Sequence, residues 1–157
     1  MTPTDPPPRL ADALTAHGLP ARVYAFPAST RTAADAAAAI GCAVAAIGKS
    51  LVFMAADSGT PVLVIASGAN RVDEARIAAH VGEPIRKATA DEVRAATGYA
   101  IGGVPPFGHA SALRAILDAD LLAFDPVWVA AGTPRTVFPI APATLQEASA
   151  AETLPVA

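Results

Sequence analysis

A single cysteine, Cys42, in a chain of 157 residues excludes a disulfide framework and a thiolate metal cluster. Aromatic residues make up only 5% of the chain, so its core must be built from aliphatic side chains and alanine. Positive charge is equally scarce. A net charge of −3 excludes the broad basic footprint that neutralises many phosphates, so nucleic-acid contact is expected to be small and local, with no DNA partner. Arg86 and Lys87, with Arg71, Arg76 and Arg94 in flanking segments, are the nearest thing to a patch, and a solvated face accounts for such a pattern. No apolar run approaches the roughly 18 residues of a membrane span. The opening MTPTDPPPRL has neither the basic nor the apolar region of a secretion signal, so no membrane partner and a cytoplasmic location are expected.

What is present is 53% hydrophobic residues in a chain of one-domain length, enough to bury a core without staples. Residues 1–8, with three prolines at their end, are expected to be a flexible leader, residues 9–150 one domain, and residues 151–157 a flexible tail. RLADALTAHG predicts a helix closed by Gly18, ARVYAF a short strand, and the stretch from Thr32 to Ile40 a helix ended by Gly41. KSLVFMAA and PVLVIAS, on either side of DSGT, predict a hairpin at the centre of a sheet. VDEARIAAHVG predicts a helix, EPIRKA a short strand, and TADEVRAATG a helix with a Thr89–Glu92 capping box. Strands are then expected at LLAF, VWVAAG and TVFPI, and a last helix from about Ala143, where Thr144 and Glu147 suggest another box. The expected fold is α/β: a single domain with a mixed, largely antiparallel central sheet flanked by helices.

Gly48-Lys49-Ser50 invites comparison with a phosphate-binding loop, and the comparison fails twice. The required glycine five residues earlier is Ala43, and the order is helix before strand, where a phosphate loop needs strand before helix. Lys49 is instead expected at the start of a central strand, where loops gather. The least ordinary segment is TGYAIGGVPPFGH, residues 97–109, with four glycines and two prolines in thirteen residues. Such a loop has a fixed shape, and N–H groups of Gly102 and Gly103 are placed to meet a substrate oxygen. A tight turn without a ligand explains the same glycines and prolines. No Ser-His-Asp order and no histidine pair or Cys/His cluster is evident, so no metal or cofactor is expected. His109 is a candidate for substrate binding or proton transfer, with a structural role at the end of a turn as the alternative. His17 and His80, near helix C-termini, read as structural, Cys42 as packing, and Asp118, Asp120 and Asp125 as punctuation of a strand and its turns.

AAIGKSLVF, LVIASGANRVD and TGYAIGGVPPFGH, in this order and spacing, resemble the YbaK/prolyl-tRNA synthetase-associated editing domain family over about Ala21 to Ala148. The resemblance implies a free-standing aminoacyl-tRNA deacylase that hydrolyses the ester of a mischarged tRNA, with the 3′ aminoacylated end of tRNA as its partner. Recruitment of tRNA to an acidic domain suggests an aminoacyl-tRNA synthetase or elongation factor as a second partner. Carried over, Lys49 holds the phosphate or ribose end by charge, while Gly102 and Gly103 bind the aminoacyl group and orient water. Thr30, Thr32, Ser50, Val104, Pro105, Pro106, Phe107 and His109 line the implied pocket, with Phe107 as an aromatic wall. Members of the family clear cysteine, alanine or serine, tRNA-Pro being one tRNA they act on. Ala130-Ala131-Gly132 and Phe138 depart from the pattern of the cysteine type, which points to a smaller or more apolar amino acid. An aminoacyl ester is already activated, so positioning and charge suffice without a strong nucleophile. A non-catalytic module binding an amino acid, nucleotide or tRNA end is the competing reading.

Overall fold

The structure, a computed structural model, describes residues 1–27 and 32–157. In chain order its elements are β1 (Thr2–Thr4), α1 (Pro8–Ala16), β2 (Val23–Ala25), α2 (Ala33–Ile40), β3 (Ile47–Ala55), β4 (Pro61–Ser67), α3 (Glu74–Val81), β5 (Ile85–Lys87), α4 (Ala90–Thr97), β6 (Arg114–Asp118), β7 (Val127–Ala130), β8 (Thr136–Ile140), α5 (Pro142–Ser149) and β9 (Glu152–Leu154). The strands form one mixed sheet in the order β1-β2-β8-β7-β3-β4-β6-β9, with β5 paired to β3 off this path. Its pairings are mostly antiparallel; β3–β7, β4–β6 and β6–β9 are parallel. The expected architecture is the one observed.

Local chemistry explains the elements. α2 begins where the Thr32 hydroxyl accepts the Asp35 N–H at 3.1 Å, and α4 begins with the complete Thr89–Glu92 capping box. β4 reads as an unbroken apolar run because it is covered on both faces. On one face Leu63 and Ile65 join Leu10 and Leu14 of α1, Val93 of α4 and Leu145 of α5. On the other, Val62, Val64 and Ala66 meet Ile77 of α3 and Val156.

Several expectations are corrected. LLAF is part of a 3-10 turn over Ala119–Ala123; the strand lies just before it, at β6, where Ile116 and Leu117 are buried in parallel pairing with β4. The segment expected as a flexible leader contributes β1, paired to β2, and the expected tail contributes β9, paired to β6. Both strands are short and polar, so the neighbour's edge specifies them more than their own pattern does. Thr144 does not cap α5, which starts after Ala141 with Pro142 in its first turn.

Gly68, just past β4, lets α2 approach the sheet: a Cβ there would lie 2.6 Å from the Val44 carbonyl oxygen and 2.9 Å from Ala33 Cβ. Gly68→Ala should therefore destabilise the fold by about 1–3 kcal/mol. Urea unfolding measures this, and an unchanged midpoint would mean that α2 does not pack as described.

Candidate active site

β3 has two edges, and three strands pair with it. β4 follows one edge from Gly48 to Met54. On the other edge β7 pairs with Ile47 and Gly48, and β5 with Phe53 to Ala55. Successive residues of an antiparallel strand aim their N–H and C=O groups to opposite edges. The Ile47 carbonyl accepts Gly68 N–H at 2.7 Å and Ala55 N–H donates to Thr60 at 2.8 Å, so the odd-numbered residues face β4. The even-numbered ones face the other edge, as the Val52 carbonyl does in accepting Ala88 N–H at 3.0 Å. The main chain of Ser50 therefore faces the gap between β7 and β5.

Two hollows meet at that gap. The first is a cavity of about 350 Å³ bordered by the capping Thr32 and by Ala33 and Ala36 of α2, by Ile47 to Leu51 of β3, by Trp128 to Ala130 of β7, and by Ile101, Gly102, Val104 and Thr133. The second, about 250 Å³, is bordered by Ser50 to Phe53, Lys87, Ala88, Val93, Ile101, Gly102 and Val104. Ser50, Leu51, Ile101, Gly102 and Val104 belong to both. Lys49 is the sole titratable side chain among the described residues of the larger cavity. Its ammonium donates to the Asn70 carbonyl at 2.7 Å, which leaves two of its three protons for other acceptors. The Ser50 hydroxyl is buried and, among the described residues, without a hydrogen-bond partner. A buried polar atom left unpaired is costly and calls for a ligand or water as its partner.

The glycine loop divides between site and scaffold. Gly102 is exposed in the cavity wall with φ +86°, a conformation that favours glycine. Gly103 does not meet the expectation of a free donor: its N–H donates to the Ala100 carbonyl at 3.0 Å and its carbonyl accepts Gly132 N–H at 2.9 Å. A Cβ at Gly103 would also lie 2.7 Å from the Thr133 main chain, so this glycine serves close packing. Val104 is buried and borders both hollows.

Beyond Val104 the chain turns away from the cavity. Pro105 is buried, Phe107 packs edge-on against His17 and Phe138 in the main core, and Pro106, Phe107 and His109 border a separate hollow beside Ala148 to Ala150. Phe107 is thus no wall of the Lys49 cavity, and neither Pro105, Pro106 nor His109 lines it. Of the two threonines expected at the entrance to α2, Thr32 borders the cavity and Thr30 lies outside the described residues. The late-strand Ala130 borders the cavity, whereas Phe138 belongs to the core. Asp118 does end a strand and cap the following turn, as its sequence context suggests, but its burial and its tie to Asn70 were not expected. It is fully buried and accepts Ser67 N–H and Asn70 Nδ2, each at 2.9 Å. Its signal was the Asn70 of SGANRVD, an amide close after a strand, which needs an acceptor when it turns inward.

The profile of the aminoacyl-tRNA editing domain matches residues 27–148. The chain belongs to the aminoacyl-tRNA editing domain family. Among solved structures it resembles a proposed trans-editing enzyme for prolyl-tRNA synthetase, with 46% identity, a TM-score of 0.88 and 94% of each chain covered. It also resembles the hypothetical protein APE2540, with 30% identity and a TM-score of 0.85 over 94% of this chain and 98% of that one. The uncharacterised protein YwhH of Bacillus subtilis (strain 168) is 33% identical over 127 residues, 81% of this chain and 80% of its own. No helix among the described residues of this editing domain is long and apolar enough to cross a membrane.

His109 also carries a consequence for stability. A carbonyl only accepts, so the 2.6 Å contact between His109 Nε2 and the Pro105 carbonyl makes Nε2 the protonated nitrogen. Burial pushes the imidazole below its ordinary value of 6.5, and the bond to Pro105 offsets this in part. The unfolded chain then binds the proton more readily, so this group's contribution is complete above 6.5 and declines as the pH falls below it. Thermal melts from pH 8 to 5 should show a larger fall for the native chain than for His109→Gln; parallel curves would contradict the burial.

Proposed function

We propose that this editing domain is a free-standing deacylase that hydrolyses the ester linking a small amino acid, such as alanine, serine or cysteine, to the terminal adenosine of a mischarged tRNA, tRNA-Pro or a related one. The observation that carries this reading is that Lys49 and Gly102 border one cavity, at the place where no strand among the described residues pairs with the edge of β3. The family membership supports the substrate class.

In the proposed chemistry the Lys49 ammonium, anchored on the Asn70 carbonyl, holds the ribose or phosphate end by charge. The aminoacyl group lies along the Ser50 edge, where a carbonyl is available to the substrate's α-ammonium and an N–H to its polar atoms. The Gly102 main chain faces the ester carbonyl and stabilises the oxyanion that forms when water adds to the carbonyl carbon. The carbon–oxygen bond to the ribose then breaks, the ribose oxygen takes up a proton of the attacking water, and the amino acid departs as its carboxylate with release of the second proton. No side-chain base borders the larger cavity among the described residues, so the acceleration comes from orientation and electrostatics. The small side chains of Ala33 and Ala36 on α2 leave room beside the ester for the amino acid. A synthetase or elongation factor that delivers the tRNA would compensate for the acidic net charge of the domain.

A panel of mischarged tRNAs tests the proposal. Release of a small amino acid from at least one of them is expected, and Lys49→Ala should lower kcat/KM by about 100-fold. Saturable binding without release would favour the non-catalytic reading, and full activity in Lys49→Ala would remove the lysine from the site.

A further inference from the structure

We infer that Asp118 and Asn70 are positioning residues that aim Lys49 into the cavity. This rests on the reading of Lys49 as the substrate anchor. A lysine side chain has four rotatable bonds, and the hydrogen bond to the Asn70 carbonyl restrains its ammonium here. That carbonyl is held in turn. Asn70 N–H donates to the Ser67 carbonyl at 2.9 Å, and Asn70 Nδ2 donates to Asp118 Oδ2 at 2.9 Å and to Asp120 Oδ2 at 2.8 Å. Asp118 also accepts Ser67 N–H on Oδ2 at 2.9 Å and Asp120 N–H on Oδ1 at 3.0 Å.

The chemistry of position 118 is demanding. A carboxylate at zero exposure is tolerated only when its oxygens are satisfied, and these are satisfied by amide donors. Both oxygens accept, so asparagine cannot replace it: one of the two positions would become a donor facing a donor. A turn alone needs no buried charge. What the carboxylate adds is a fixed Asn70, and hence a fixed acceptor for Lys49 at the end of β4, one strand away from the gap. Asp118 reaches no substrate; it acts through Asn70, and Asn70 through Lys49.

Asn70→Ala tests this most cleanly, because it keeps the main-chain carbonyl and removes the tether at a partly exposed position. It should lower kcat/KM for aminoacyl-tRNA hydrolysis by about 10- to 100-fold. It should weaken binding of a non-hydrolysable aminoacylamino-adenosine in the native background and leave that binding unchanged in the Lys49→Ala background. Asp118→Asn should reproduce the pattern in the binding assay wherever circular dichroism shows it folded. Equal losses of binding with and without Lys49 would make the tether merely structural, and native activity in Asn70→Ala would overturn the inference; in either case the site reading stands if Lys49→Ala is inactive. Native activity in Lys49→Ala instead defeats the site reading itself.

Discussion

The stretch of β3 edge between β7 and β5, without a strand partner among the described residues, is the constraint on which the site depends. A main-chain N–H and C=O inside a sheet ordinarily find partners, because leaving them dry and unpaired is costly. Here β7 and β5 take the same edge of β3 from opposite ends and do not meet, so among the described residues the main-chain groups of Ser50 have no strand partner and face a cavity. Each member of Gly48-Lys49-Ser50 has a part in this. A Cβ at Gly48 would come within 3.0 Å of Val129, so glycine lets β7 pair closely up to the break. Lys49 supplies the charge. Ser50 supplies the open edge and a buried hydroxyl without a partner among the described residues.

The polar groups behind the site are as ordered as those in it. Asp118 closes β6, a strand in parallel pairing with β4, so its place is fixed by the buried centre of the sheet. From there a chain of hydrogen bonds runs through Asn70 to the Lys49 ammonium. The glycine loop is fastened similarly, with Gly103 bonded to Gly132 in the turn between β7 and β8. Both walls of the cavity are thus tied to the sheet, which is what preorganisation of a site without a strong nucleophile requires.

Much of this was legible in the residues. The hairpin of β3 and β4, the Thr89–Glu92 box and the glycine stops of α2, α3 and α4 follow from period, capping and turn chemistry. The residues marked Lys49 and the Gly102 loop only as separately unusual, a lysine entering an apolar strand and a rigid glycine turn; that they share one site was what the family resemblance implied. The direction of the chain after Val104 was not. Composition announces that Pro105, Pro106 and Phe107 are stiff but not that they point into the core, where Phe107 finds Phe138. β6 escaped notice because RAILD carries a charge at each end and shows no alternation; parallel burial between β4 and β9 makes it a strand. The burial of Asp118 likewise depends on a partner forty-eight positions away in sequence, a distance over which local pattern is silent.

A structure of the domain with a non-hydrolysable aminoacylamino-adenosine bound is the most direct measurement. The aminoacyl amide is expected between the Ser50 main chain and Gly102, with the adenosine toward Lys49. Density for the ligand in the hollow beside His109 and Ala148 to Ala150, with the Ser50 edge left vacant, would contradict it.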